Sequence, residues 1–223
     1  MADTPRSIII VGAGPGLGGA IAARFGGEGF RVGLVSRHES MIAPALIAAG
    51  IEVHTALGDA GYTGSLHDAL DALTATLGVP DVLVYNAAVP IPGRPSTLDS
   101  VQLLASLATN IGGFVDSVQR VVQRMRVRRS GTILASGCGI AIEPWVDAVG
   151  LSVGKAALRT MVHALANEVA DDDVHATIVT VKGIMSPRTA LAPERVAEEF
   201  WRVYAQPRAE WAWEQVYDPA PED

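Results

Sequence analysis

The chain has 223 residues, 49% of them apolar, 18% charged and 5% aromatic, enough for one sizeable aliphatic core and too little for two full domains. Its net charge of −7 argues against a general nucleic-acid binder, which needs a clustered positive field. Its single cysteine, Cys138, precludes an internal disulfide and a multi-cysteine metal site, and no apolar run reaches the roughly 18 residues of a membrane span.

Ser7–Val11 is continuously apolar, as expected for a parallel strand buried on both faces. Gly18–Gly27 carries Ile21 and Phe25 at helical spacing, Arg31–Val35 reads as a second strand and Ile51–Ala56 as a third. Leu66, Leu70, Leu73 and Leu77 form one stripe of an amphipathic helix. Asp81–Tyr85 is a fourth strand, Leu98–Arg126 a long helical region, Thr132–Ala135 a fifth strand, Leu151–Val169 a helix and Ala176–Val181 a sixth strand. A last helix starts near Pro193–Glu194, and Trp213–Tyr217 is a candidate final strand. This alternation specifies an α/β fold: a Rossmann-like doubly wound parallel sheet of six or seven strands, three layers deep, in a single domain over 1–223 with a short C-terminal extension from about 207.

Arg120, Arg124, Arg126, Arg128 and Arg129 close a helical pattern without interleaved aromatics and read as a solvated helix end. The five histidines show no metal-ligand spacing, so no metal is expected. The N-terminus runs straight into a strand with no secretion signal, and a cytoplasmic location is the expectation. Fifteen of the 17 basic residues are arginine, which draws attention to the two lysines, Lys155 and Lys182.

The first strand-to-helix turn is Gly12-Ala13-Gly14-Pro15-Gly16-Leu17-Gly18, where glycines permit close approach of a pyrophosphate to helix N-terminal amides. The second strand ends in Ser36-Arg37. A free ribose 2′-hydroxyl would call for a carboxylate there, whereas Arg37 suits a 2′-phosphate, so NADP(H) is expected over NAD(H).

From residue 7 to about 206 the chain resembles the short-chain dehydrogenase/reductase family. Gly12, Gly16 and Gly18 match its GxxxGxG loop, Asp59-Ala60 its adenine-contacting aspartate, Asn86-Ala87-Ala88 its NNAG strand end with Tyr85 at the first asparagine, and Asn110 its helix asparagine. Leu151-Ser152-Val153-Gly154-Lys155 matches the segment that normally begins YxxxK. The resemblance implies a small-molecule substrate and a homodimer or homotetramer, with no nucleic-acid or membrane partner. It implies cofactor contacts from Gly12, Gly14, Pro15, Gly16, Leu17, Gly18, Ser36, Arg37, Asp59, Ala60, Asn86, Ala87, Ala88, Lys155, Lys182, Gly183, Ile184 and Met185.

The resemblance breaks at the proton donor. The family's tyrosine falls at Leu151, which cannot exchange a proton, and its serine falls at Cys138, with Ser136 two residues earlier on the same strand face. Asn110, Ser136, Cys138 and Lys155 are therefore the candidate catalytic residues. Lys182 stands where the family has proline and is a speculative replacement acid or substrate contact. The Ile184–Leu191 segment is short for a lid, leaving the site open, or closed by the region of Trp201, Trp211 and Trp213 or by a neighbouring subunit. The function implied is an NADP(H)-dependent oxidoreductase with an altered proton relay, reducing a small carbonyl, imine or activated alkene. The alternative is a catalytically impaired dinucleotide-binding or sensor protein on the same scaffold.

Overall fold

The computed structural model describes residues 5–220. Seven strands, β1 (Ser7–Val11), β2 (Arg31–Ser36), β3 (Val53–Leu57), β4 (Val82–Tyr85), β5 (Gly131–Cys138), β6 (Val174–Val181) and β7 (Glu214–Tyr217), form one parallel sheet in the order β3-β2-β1-β4-β5-β6-β7. Side chains alternate across it, as strand geometry requires. Ile9 and Val11 of β1 pack with Leu83 and Tyr85 of β4 on one face; Ile8 and Ile10 pack with Val82 and Val84 on the other.

Among the described residues seven α-helices accompany the sheet. α1 (Leu17–Gly27), α2 (Ala43–Ala48) and α7 (Pro193–Tyr204) bury Ile21, Phe25, Leu46, Val196 and Phe200 on one side. On the other, α3 (Thr63–Leu77), α5 (Gly113–Arg128) and α6 (Val149–Glu168) bury the leucine stripe, Phe114, Val121 and Leu158. α4 (Ser100–Leu107) begins at Asp99, whose carboxylate accepts from the amides of Val101 and Gln102.

The sheet matches the doubly wound expectation, with three local differences. The helical region expected over Leu98–Arg126 starts at Ser100 and is broken by a π turn, Ala108–Gly112, between α4 and α5. β5 runs on to Cys138 because Ser136, Gly137 and Cys138 keep pairing with Val179, Thr180 and Val181. α2 carries no periodic signal in its six residues, and proline near its start opens it.

The basic stretch is an ion-paired helix end: Arg120 pairs with Asp71, Arg126 with Glu168 and Asp172, and Arg129 with Asp173. Trp201, Trp211 and Trp213 pack within the fold. Trp213 stacks on His163, Trp211 on His175, and Trp201 joins Phe25, Phe30 and Tyr204. Trp201 and Trp211 border a cavity with Arg6, Gly131 and Thr132, at the N-terminal ends of the strands. Among the described residues no helix is long and apolar enough to cross a membrane, and no cluster of His, Cys, Asp and Glu could hold a metal ion.

Candidate functional site

The strand order reverses between β1 and β4, and a cavity of about 360 Å³ opens there at the C-terminal ends of the strands. Three loops build its walls: Gly12–Pro15 after β1, Ser36–Ile42 after β2, and Asn86–Val89 after β4, with Gly58, Asp59, Ala60 and Thr109 completing it.

The loop after β1 is held by backbone contacts that only glycine allows. Gly12 has φ +90°, and a methyl group there would lie 2.5 Å from the Ala87 nitrogen. The Asn86 side chain donates to the Gly12 carbonyl at 2.9 Å, joining the β1 and β4 ends. Gly14 and Gly16 differ: a methyl group on either would meet nothing within 4 Å. Their backbone faces open space before α1, as an approaching phosphate requires.

At the β2 wall, Ser36 Oγ donates to the His38 carbonyl at 2.7 Å. Arg37 is exposed and has no ion-pair or hydrogen-bond partner among the described residues. The loop carries both signs, because Glu39 also lines the cavity. Asp59 is fixed as a turn, its carboxylate accepting from the Gly61 amide at 2.8 Å and its own amide donating to Ser65 Oγ at 3.1 Å.

Below the β4 wall, fully buried Tyr85 donates its hydroxyl proton to the Thr109 carbonyl in the π turn. Burial, reinforced by Asp116 and Asp59, holds this phenol well above its ordinary pKa, so it stays protonated as a donor. Gly113 permits the approach: a methyl group there would lie 2.3 Å from the Ala60 carbonyl oxygen and 2.6 Å from the Tyr85 hydroxyl. The next residue of the turn, Asn110, grips Val89 from both sides, accepting from its amide at 2.7 Å and donating to its carbonyl at 3.0 Å.

Lys155, on α6, is buried. Its ammonium donates to the Ser136 carbonyl at 2.7 Å and lies 3.4 Å from Ser136 Oγ. Burial pushes its pKa down to about 8, opposed by the nearby Cys138. Ser136 is buried beside the lysine, whereas Cys138, two residues on, is half-buried at the strand end. The structure therefore brings Ser136, Cys138 and Lys155 together. Leu151 stands one helical turn before Lys155, on the first turn of α6.

The tyrosines stand on elements other than α6. Tyr85 is committed to Thr109, Tyr217 donates to Ala190, Tyr204 accepts from Arg6, and Tyr62 is exposed at the start of α3. Lys182 makes a surface ion pair with Asp218 at 3.2 Å, the arrangement of an ordinary strand-end cation. Gly183, Ile184 and Met185 follow it after β6. None of these lines the cavity, nor do Gly16, Leu17 and Gly18 at the start of α1, nor Asn110, Ser136, Cys138 and Lys155.

The sequence did not point to Val11, Ala13, Val35, His38 to Ile42, Gly58, Val89 or Thr109 among the cavity residues. The loop was findable as the continuation of Arg37. Thr109 was not, because the π turn that brings it to the wall has no periodic signature.

The sequence pattern of the family described as short chain dehydrogenase matches residues 6–197. The chain is 24% identical over 205 residues to "Oxidoreductase asL5" of Sarocladium schorii, covering 91% of this chain and 80% of that protein. It is 26% identical over 187 residues to a glucose 1-dehydrogenase of Gluconobacter oxydans, covering 82% and 70%. The fold superposes on a metagenomic short-chain oxidoreductase in complex with NADP (TM-score 0.87, 22% identity, 96% of this chain and 97% of the other). It also superposes on an alcohol dehydrogenase from Thermococcus sibiricus complexed with 5-hydroxy-NADP (TM-score 0.85, 20% identity, 98% and 99%). With the pattern spanning most of its length and every strand of the sheet in place, the chain belongs to the short-chain dehydrogenase family.

Proposed function

We propose that the protein is an NADP(H)-dependent oxidoreductase with an altered proton relay, reducing a small carbonyl, imine or activated alkene. The observation that carries this reading is the buried Lys155, bonded to Ser136 beside Cys138, with a leucine one turn earlier where the family has its tyrosine.

The residues present fit a dinucleotide. The open backbone at Gly14 and Gly16 suits a pyrophosphate before α1, and the unpartnered Arg37 suits a 2′-phosphate. Asp59 and Ala60 would meet the adenine, Asn86 to Ala88 the middle of the cofactor, and Lys155 the nicotinamide ribose. When bound, NADPH supplies a hydride.

The chain's own groups then divide the remaining work. Ser136 holds the lysine, and Cys138 stands half-buried at the end of β5. Leu151 contributes hydrocarbon and no proton. Loss of a general acid typically costs ~10²–10⁴-fold, so ketone reduction is slow here unless the Cys138 thiol or a bound water replaces it. Exposed Val101 and Leu104 on α4, with Val153 and Met161 on α6, suit packing of a second copy against these helices, which gel filtration with light scattering tests.

NADPH oxidation across ketones, imines and activated alkenes, beside a direct NADPH titration, tests the function. Turnover of at least one class supports it. Tight NADPH binding without turnover of any class overturns it in favour of a dinucleotide sensor.

A further inference from the structure

The loops leaving β5 and β6 hold more apolar surface than packing requires. Ile142, Trp145 and Val146 follow β5 and are 44%, 50% and 55% exposed; Ile184 and Met185 follow β6 and are 70% and 43% exposed. The loops are neighbours, since Cys138 and Val181 are register partners and a methyl group on Gly139 would lie 3.2 Å from Lys182 Cγ.

The first loop is held in place. The Trp145 amide donates to Ser152 Oγ at 3.2 Å, beside Leu151; Arg94 pairs with Asp147 at 2.7 Å; and Gly93 bridges Ala148. A loop fixed at three points that leaves an indole half exposed forgoes hydrophobic stabilisation, which a ligand lying on it restores.

The same loop carries one uncompensated charge. Glu143, between Ile142 and Trp145, is exposed; its amide donates to the Gly139 carbonyl at 3.0 Å, and its carboxylate has no ion-pair or hydrogen-bond partner among the described residues. The loop's other carboxylate, Asp147, is neutralised by Arg94. Hydrocarbon, an aromatic ring and a carboxylate without a side-chain partner therefore share one loop, tied at Trp145 to the helix turn that carries residue 151, which has no proton to give.

Resting on the reductase reading above, we propose that the substrate is an apolar organic cation, an iminium. Its hydrocarbon lies against Trp145, Val146 and Met185, and its charge is met by Glu143 and the indole face of Trp145. The iminium carbon gains a hydride, its C=N π pair becomes the nitrogen lone pair, and the positive charge passes to the oxidised cofactor. No proton is transferred, so Leu151 imposes no barrier. A ketone would instead leave an alkoxide needing a proton.

Calorimetry on the full chain, with and without saturating NADP⁺, compares 2,2-dimethyl-tetrahydroisoquinolinium with neutral isochroman. The cation is expected to bind at least about fivefold tighter, with that preference lost in the Glu143→Gln/Trp145→Ala double variant. With NADPH, 2-methyl-3,4-dihydroisoquinolinium is expected to be reduced faster than 1-tetralone. Leu151→Tyr should raise tetralone reduction at least about tenfold, narrowing the iminium-to-tetralone rate ratio.

Equal affinity for the two probes, or faster tetralone reduction by the unaltered chain, overturns the proposal. So does a dimer that Trp145→Ala dissociates while neither probe binds, which assigns the patch to a second copy. NADPH titrated in the same calorimeter separates the two readings: NADPH binding without cation preference defeats this inference alone. Cation preference without NADPH binding defeats the reductase reading and leaves the cation site standing.

Discussion

The Tyr85 hydroxyl donates to the Thr109 carbonyl, tying the last residue of β4 to the π turn whose next residue, Asn110, holds both backbone groups of Val89. One buried phenol thus braces two walls of the cavity, because Thr109 and Val89 both line it.

Tyr85→Phe keeps the ring and removes the donor, leaving the part-buried Thr109 carbonyl without this partner. The expected cost is about 1–2 kcal/mol, lowering the melting temperature by a few degrees and weakening NADPH binding. Urea unfolding and an NADPH titration check this. An unchanged midpoint would show that the bond contributes nothing.

Lys155 is buried with its pKa lowered to about 8 from 10.5. Between those values the unfolded chain keeps a proton that the folded chain has released, so raising the pH through this window stabilises the fold. Below about pH 8 the full penalty for burying the ammonium applies. Lys155→Met is therefore expected to be more stable at pH 7 by up to about 3 kcal/mol, less the lost bond to Ser136. That advantage should disappear near pH 10.5, and NADPH binding should weaken. Denaturant midpoints at pH 7, 9 and 10.5 decide it.

His175 stacks on Trp211 at 4.6 Å, and burial lowers its pKa to about 4 from 6.5. From pH 6.5 down to about 4 the unfolded chain takes up a proton that the folded histidine refuses, so stability falls with acidification. The loss reaches up to about 3 kcal/mol. His175→Phe retains a flat ring and is expected to flatten that part of the profile. The same slope in the variant would place the acid sensitivity elsewhere.

Arg37→Asp replaces an unpartnered cation at the cavity wall by a carboxylate. The NADPH-to-NADH affinity ratio is expected to fall at least about tenfold. An unchanged ratio would remove Arg37 from cofactor selection and turn attention to His38 and Ser40 in the same loop.

Much of the architecture was legible because it rests on local chemistry. An unbroken Ile8-Ile9-Ile10 run demands burial on both faces, the leucines of α3 repeat at helical period, and the glycine loop encodes its own backbone freedom. The π turn and α2 were not legible. One depends on a hydroxyl 24 positions away in sequence, and the other is too short to show a period.

The site divides along the same line. Sequence alone determined that residue 151 has no proton to give, that Lys155 and Cys138 are each rare in this chain, and that the second strand ends in Ser36-Arg37, since these are matters of composition and spacing. Only the tertiary structure decided where the two lysines stand. The pairing of β5 with β6 carries Ser136 far enough for its carbonyl to hold the buried Lys155, while Lys182, at the end of β6, is neutralised by Asp218. Burial and partner, the two quantities that separate a reactive amine from a surface cation, arise from contacts between distant segments.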